Sequence, residues 1–139
     1  MPLVRISLRA GKSPSYLESI GEAIHQAMVE TINVPPDDRF QIFTEHPARA
    51  ASSARRRLSP EGLVYDPGYL GIKRSDDLVV IQITLNVGRT LDQKRALYRA
   101  LAAKLAGDPG LRKEDVLVGL VEVPKENWSF GNGEMSYVK

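Results

Sequence analysis

The sequence contains a copy of itself. Sliding VRISLRAGKSPSYLESIGEAIHQAM, which starts at Val4, forward by 77 positions lays it without a gap on IQITLNVGRTLDQKRALYRALAAKL, which starts at Ile81. Ile6 falls on Ile83, Leu8 on Leu85, Gly11 on Gly88 and Ile24 on Leu101, and the register continues to Asp38 on Asp115 and Glu45 on Glu122. An internal repeat constrains architecture before any single residue does, because each copy has to be one supersecondary unit. Both copies read as strand, glycine turn, helix, short connection, strand. In the first, Ile6 and Leu8 alternate with polar neighbours, Ser13 stands as a cap before Pro14, and Leu17, Ile20, Ile24 and Met28 recur at helical spacing. In the second, TLDQ offers a capping box from Thr90 to Gln93, and Leu97, Leu101 and Leu105 make the same stripe. Proline or glycine in NVPPDD and GDPGLRKED stops each helix and leads into RFQIFTEH and VLVGLVEV.

Two such units predict an α/β (α+β) fold: duplicated β-α-β units forming a four-stranded sheet, parallel within each unit, with both helices on one face. A chain of 139 residues, 42% of them hydrophobic, suits one domain, with halves at about 1–46 and 78–123, a basic linker at about 47–77 and a tail at 124–139. The strands VVIQITL and VLVGLVEV carry apolar residues on both sides, so the face without helices is expected to be covered by another subunit. The linker is longer than connections in compact domains usually are. Its start, rich in Ala, Ser and Arg, suits a short basic helix, while VYDPGYLGI is expected to order against the body. Arg55, Arg56 and Arg57 read as a solvated cationic face, with a use in subunit or acidic-partner contacts left open.

Composition removes several kinds of chemistry. There is no cysteine, which excludes disulfides and thiolate sites, and with only His25 and His46 no metal site is expected. The formal net charge is +2 and aromatics are few, so no nucleic-acid groove is expected. No apolar run approaches the roughly 20 residues of a membrane span, and no signal-peptide core is present, so a cytoplasmic protein is expected. His25 reads as a partly buried packing residue, and Glu45 and His46 as structural.

What remains is the proline at the tip of the first strand, in MPLVRISL. If Met1 is removed, as expected before proline, Pro2 presents a secondary amine. An α-amino group titrates near about 7.7–8.0 in model peptides, and proline's amine somewhat higher. Burial and a neighbouring cation both disfavour the ammonium form. A strand tip would also hold the nitrogen rigidly, as a general acid or base requires. The alternative is that Pro2 merely begins an edge strand.

Pro2, the doubled layout, VPPDDRFQI with the EH that follows, GRTLDQK after the third strand, and the tail NWSFGNGEMSY together resemble the tautomerase superfamily, and within it the malonate semialdehyde decarboxylase group. The resemblance implies a β-α-β fold built around an amino-terminal proline, a homotrimer, and a cofactor-independent enzyme acting on a small carboxylate substrate. It implies that Pro2 moves a proton at carbon beside a carbonyl. By the same resemblance, Arg89, directly after Gly88, binds the substrate carboxylate and polarises its carbonyl, which suits the bidentate guanidinium fork. Asp38 would position or activate water, and Trp128, Phe130 and Tyr137 would wall the pocket and exclude solvent. The repeat offers rival readings for two of these. Lys12 occupies Arg89's place, as a turn cation would, and Asp115 occupies that of Asp38, as a turn-closing carboxylate would.

One departure stands out. Where the decarboxylase pattern has the first of two arginines separated by a single residue, this chain has Val87, and Arg74 or a linker arginine is the candidate substitute. The expected activity is therefore tautomerisation of small 2-oxo or 3-oxo acids. Decarboxylation or hydration of a malonate-semialdehyde-like acid is the alternative, and a non-catalytic oligomeric binding module a second one.

Overall fold

The computed structural model describes residues 2–47 and 62–139. Among them, β1 (Leu3–Arg9), β2 (Gln41–His46), β3 (Val79–Asn86) and β4 (Val116–Val123) form one sheet in the order β2-β1-β3-β4. The helices α1 (Pro14–Ile32) and α2 (Leu91–Gly107) pack side by side over one face. β1 runs parallel to β2 and β3 parallel to β4, while the central pair β1 and β3 is antiparallel. Val4 lies opposite Ile83, the counterpart of Ile6, and Ile6 lies opposite Ile81, the counterpart of Val4. That exchange is what a two-fold axis between the halves demands, so the repeat in the sequence has become a symmetry in space.

Local chemistry starts each helix where the sequence indicates. Ser13 Oγ accepts from the Tyr16 amide at 3.2 Å with Pro14 in the first turn, and Thr90 and Gln93 close a reciprocal capping box. Asn33 ends α1 in the left-handed region at φ 59°, which asparagine tolerates. Gly11 and Gly88, aligned in the repeat, turn their strands toward the helices at φ 106° and 127°, a conformation that favours glycine.

The core is the helix-facing side of the sheet. Val4, Ile6 and Leu8 of β1 and Val79, Ile81, Ile83 and Leu85 of β3 meet Ile20, Ile24 and Met28 of α1 and Leu97, Leu101 and Leu105 of α2, all buried; Leu17 packs at the margin. The far face is mixed. Arg5 and Gln82 sit exposed at its centre, while Ile42, Leu117 and Val121 are exposed toward its edges. The exposed apolar residues of that face therefore lie on the outer strands, with Leu3 and Val80 of the central strands half-buried.

The two-fold relation gives the sheet two equivalent ends, and the chain treats them differently. At the end where β3 and β4 begin, Arg9 pairs with Asp76 at 2.9 Å and Lys12 with Asp77 at 2.5 Å. Beside them the fully buried Asp115 accepts from the Ser75 amide at 2.7 Å and the Ser75 hydroxyl at 2.6 Å. These contacts tie the crossover segment across the sheet end. Within that segment Tyr65 donates to the Ser75 carbonyl, and Arg74 to the Tyr69 and Ile72 carbonyls. Tyr69 and Leu70 remain exposed, so the segment is fastened by its polar groups and not by packing its apolar ones against the body. Its basic start, with Arg55, Arg56 and Arg57, lies outside the described residues. No helix among the described residues is long and apolar enough to cross a membrane.

Candidate active site

The opposite end carries Pro2, which is buried immediately ahead of β1. The Val4 amide donates to the Phe40 carbonyl at 3.0 Å, pinning the tip of β1 beside the entry to β2. A cleft of about 260 Å³ opens there, lined by Pro2, Leu3, Phe40, Trp128, Ser129 and Phe130. Its aromatic wall comes from the tail, which a single 3-10 turn at Lys125–Asn127 folds back after β4. The Trp128 and Phe130 rings stack with centroids 5.2 Å apart, Phe40 lies 6.3 Å from Phe130, and Tyr137 meets Phe130 edge-on at 5.3 Å. The Phe130 amide donates to Ser136 Oγ at 2.9 Å, which closes the tail on itself.

Arg89 follows the glycine turn at the same end of the sheet. Its Nη1 donates to the Asn86 carbonyl at 3.2 Å and its Nη2 to the carbonyl of Ile32, the last residue of α1, at 3.3 Å. A helix C-terminus presents unpaired carbonyls and partial negative charge, which suits a guanidinium. Lys12, its counterpart, is paired with Asp77, whereas Arg89 bonds backbone carbonyls of its own turn and of the end of α1.

Asp38 rides on the turn after α1, with its amide donating to the Pro35 carbonyl at 3.0 Å. The buried His25 Nε2–H donates to the Pro36 carbonyl at 2.7 Å, so this histidine fastens the turn as well as filling the core. Burial pushes the Asp38 carboxyl above the usual carboxylate range, the positive amino terminus pulls it down, and Asp37 pushes it further up. Burial likewise raises the Tyr137 phenol; Asp38 adds to that and Arg89 opposes it, so the phenol lies within electrostatic reach of both. Asp115, by contrast, turns its carboxylate to the amide and hydroxyl of Ser75 in the crossover segment, not to its own turn.

All six residues singled out from the sequence thus gather at one end of the sheet. Pro2, Trp128 and Phe130 share the cleft, Tyr137 touches Phe130, and Arg89 and Asp38 stand near Tyr137. Arg74 does not join them; it staples its own loop, and Val87 is 55% exposed. A larger groove of about 720 Å³ along α1 and β2 holds none of the six and is crossed by the Arg39–Glu22 ion pair at 2.7 Å. Among the described residues no group of three or more His, Asp or Glu side chains is arranged to hold a metal ion. Sequence reasoning missed Phe40, Ser129 and above all Asn86, whose side-chain carbonyl accepts from Trp128 Nε1 at 2.7 Å. An amide at the end of the strand, where the repeat has the charged Arg9, was the available signal.

A duplicated β-α-β sheet with Pro2 in an aromatic cleft at its end marks a tautomerase-type protein, and comparison with known proteins agrees. A family model described as tautomerase enzyme matches residues 38–131, and a second of the same description matches residues 2–51. The chain belongs to the tautomerase family and is an enzyme of tautomerase or decarboxylase type. It is 41% identical to probable tautomerase YusQ of Bacillus subtilis (strain 168) over the full length of both chains. Among solved structures it is similar to malonate semialdehyde decarboxylase, described with decarboxylase and hydratase activities, at 30% identity and a TM-score of 0.80, covering 96% of this chain and 94% of that one. A fused 4-OT symmetric trimer shares the fold at a TM-score of 0.70 and 24% identity, covering 95% of this chain and 94% of that one.

Proposed function

We propose that this chain is a cofactor-independent tautomerase of small 2-oxo and 3-oxo carboxylic acids, acting in the cytoplasm as a homotrimer in which Pro2 is the acid-base catalyst. With Met1 removed, the neutral Pro2 nitrogen accepts the proton that leaves the enol oxygen, and the resulting ammonium returns a proton to carbon. The net reaction is an isomerisation that consumes nothing. Arg89 swings from backbone carbonyls to the substrate carboxylate and carbonyl oxygen, where a charge-assisted fork steadies the developing enolate. The aromatic wall excludes water, which keeps the amine free of charge before it acts.

The observation that carries this reading is an internal one. At the pseudo-equivalent end of the sheet Lys12, the counterpart of Arg89, holds the carboxylate of Asp77 at 2.5 Å. Asp77 stands two residues before Val79, the counterpart of Pro2, so the matching position at the Pro2 end falls just beyond the proline nitrogen. The fold thus has a carboxylate seat in front of residue 12, filled by the chain itself, and its twin in front of Arg89 is the seat we assign to substrate. Ketonisation of phenylenolpyruvate followed by ultraviolet absorbance tests the reading. Turnover that Pro2→Ala abolishes supports it, and turnover that survives the substitution rejects it.

The similarity to malonate semialdehyde decarboxylase, together with an Asp38 carboxyl that burial holds above the usual carboxylate range, favours one second reading. Here Asp38 handles water or orients a β-oxo acid while carbon dioxide leaves. Carbon dioxide release from malonate semialdehyde measures that reaction separately.

A further inference from the structure

Three polar side chains are buried among the described residues: His25, Asp115 and Asn86. The first two fasten backbone, at Pro36 and Ser75 respectively. Asn86, 7% exposed at the last position of β3, fastens the cleft instead. Its side-chain oxygen accepts the indole N–H of Trp128 at 2.7 Å, and its main-chain oxygen accepts from Arg89 Nη1 at 3.2 Å. The fold does not require an amide here. Its repeat counterpart Arg9 ends β1 with a partly exposed side chain paired to Asp76, and the strand geometry is the same. The two halves have diverged at this position, and the half beside Pro2 has the residue able to hold two site groups at once.

We propose that Asn86 is the positioning residue of the cleft, setting the Trp128 indole in the wall it shares with Pro2 with its side chain while its backbone holds Arg89 at rest. The catalytic consequence rests on the functional reading above; the structural one does not. An indole whose only polar atom is tethered can turn about its side-chain torsions far less than one that merely stacks, and the Phe130 ring stacked on it turns with it. Removing the acceptor also leaves a part-buried N–H without its partner, so the ring is driven to reorient toward water. Arg89 is insulated from such a change because its bond is to the backbone.

Trp128 is the single tryptophan of the chain, so its fluorescence reports this contact directly. The full-length protein and its Asn86→Leu and Asn86→Asp variants are compared by Trp emission maximum, acrylamide quenching and kcat/KM for phenylenolpyruvate. Leucine keeps the branched shape and heavy-atom count and removes the acceptor, whereas aspartate keeps an oxygen in the same place. Asn86→Leu is expected to shift the emission maximum, raise quenching and lower kcat/KM about tenfold, the size of one lost hydrogen bond in a transition state. Asn86→Asp is expected to restore wild-type emission and to bring kcat/KM back within about threefold of the wild type. Unchanged emission in Asn86→Leu overturns the proposal. So does altered emission with undiminished kcat/KM, or an aspartate variant no better than leucine in either readout. Should the wild type fail to turn over phenylenolpyruvate, the functional reading fails, yet the emission of the two variants still decides whether Asn86 positions Trp128.

Discussion

Asp38 and Asp115 occupy one place in the repeat and two roles in the structure, so removing each in turn tests whether the two ends of the sheet have truly diverged. Asp115→Ala strips the Ser75 amide and hydroxyl of their acceptor at 2.7 and 2.6 Å, and it deprives Arg112, 3.6 Å away, of a partner. Arg112 is half exposed and regains water, so its loss counts for little. The two bonds to a fully buried carboxylate count for much more, offset by the relief of not burying a charge, and a net loss of about 3 kcal/mol follows. For a chain of this size that lowers the melting temperature by roughly 10 °C. Thermal unfolding at matched protein concentration, needed because assembly itself adds stability, measures it. Below its melting temperature Asp115→Ala is expected to keep kcat/KM within about threefold of wild type, since a surviving fold leaves the Pro2 end intact. Asp38→Ala is expected to lose activity more than it loses stability. Stability of Asp115→Ala within about 1 kcal/mol of wild type, or a loss of kcat/KM as deep as that of Asp38→Ala, would refute the division of labour.

Other consequences can be checked alongside. Because burial lifts the folded Asp38 carboxyl above its unfolded value, its contribution to stability is fully present below the unfolded value and is lost as pH rises through the folded one. Asp38→Asn should therefore gain on the wild type in urea unfolding as the pH is raised from about 3 to about 6, and a gap that narrows over that interval contradicts the assignment. Lys12→Met breaks a partly exposed ion pair and should cost less than about 1 kcal/mol with ketonisation unchanged, whereas Arg89→Met should lower kcat/KM by about 10² or more; equal effects would undo the distinction drawn between them. Val87 is exposed, so Val87→Arg should fold normally while raising carbon dioxide release from malonate semialdehyde about tenfold, read by a coupled assay; no rise would mean the missing cation is not what limits that reaction.

The fold was legible because two independent signals agreed. The gapless repeat dictated two equivalent units, and within each unit the period of two in Ile6 and Leu8 and the helical period of Ile20, Ile24 and Met28 assigned the elements. The caps at Ser13 and Thr90 then set where the helices begin. Less could be read of the sheet's far face, since alternation shows that a side is apolar without showing which neighbours lie across it. Arg5 and Gln82 face each other at the centre only because of the antiparallel register. The members of the candidate site could be named from single residues and their family resemblance, but how they are held together could not. Nothing local to Asn86 announces Trp128, 42 residues further along the chain, as its partner. The loop around Tyr69 and Leu70 is ordered as expected, but by means the sequence did not show: Tyr65 and Arg74 bond its carbonyls from within and Asp115 holds Ser75, while Tyr69 and Leu70 stay exposed.

A Pro2 catalyst requires its nitrogen to be a free amine that titrates in the working range of the enzyme. Protein labelled with ¹⁵N-proline, followed by NMR across pH, observes that nitrogen itself. One proline signal is expected to titrate, at a midpoint matching the acidic limb of kcat/KM for phenylenolpyruvate and depressed relative to a proline-initiated peptide. A Pro2 signal at an amide shift that does not move with pH, or a midpoint unrelated to the kinetic limb, would contradict Pro2 as the catalyst.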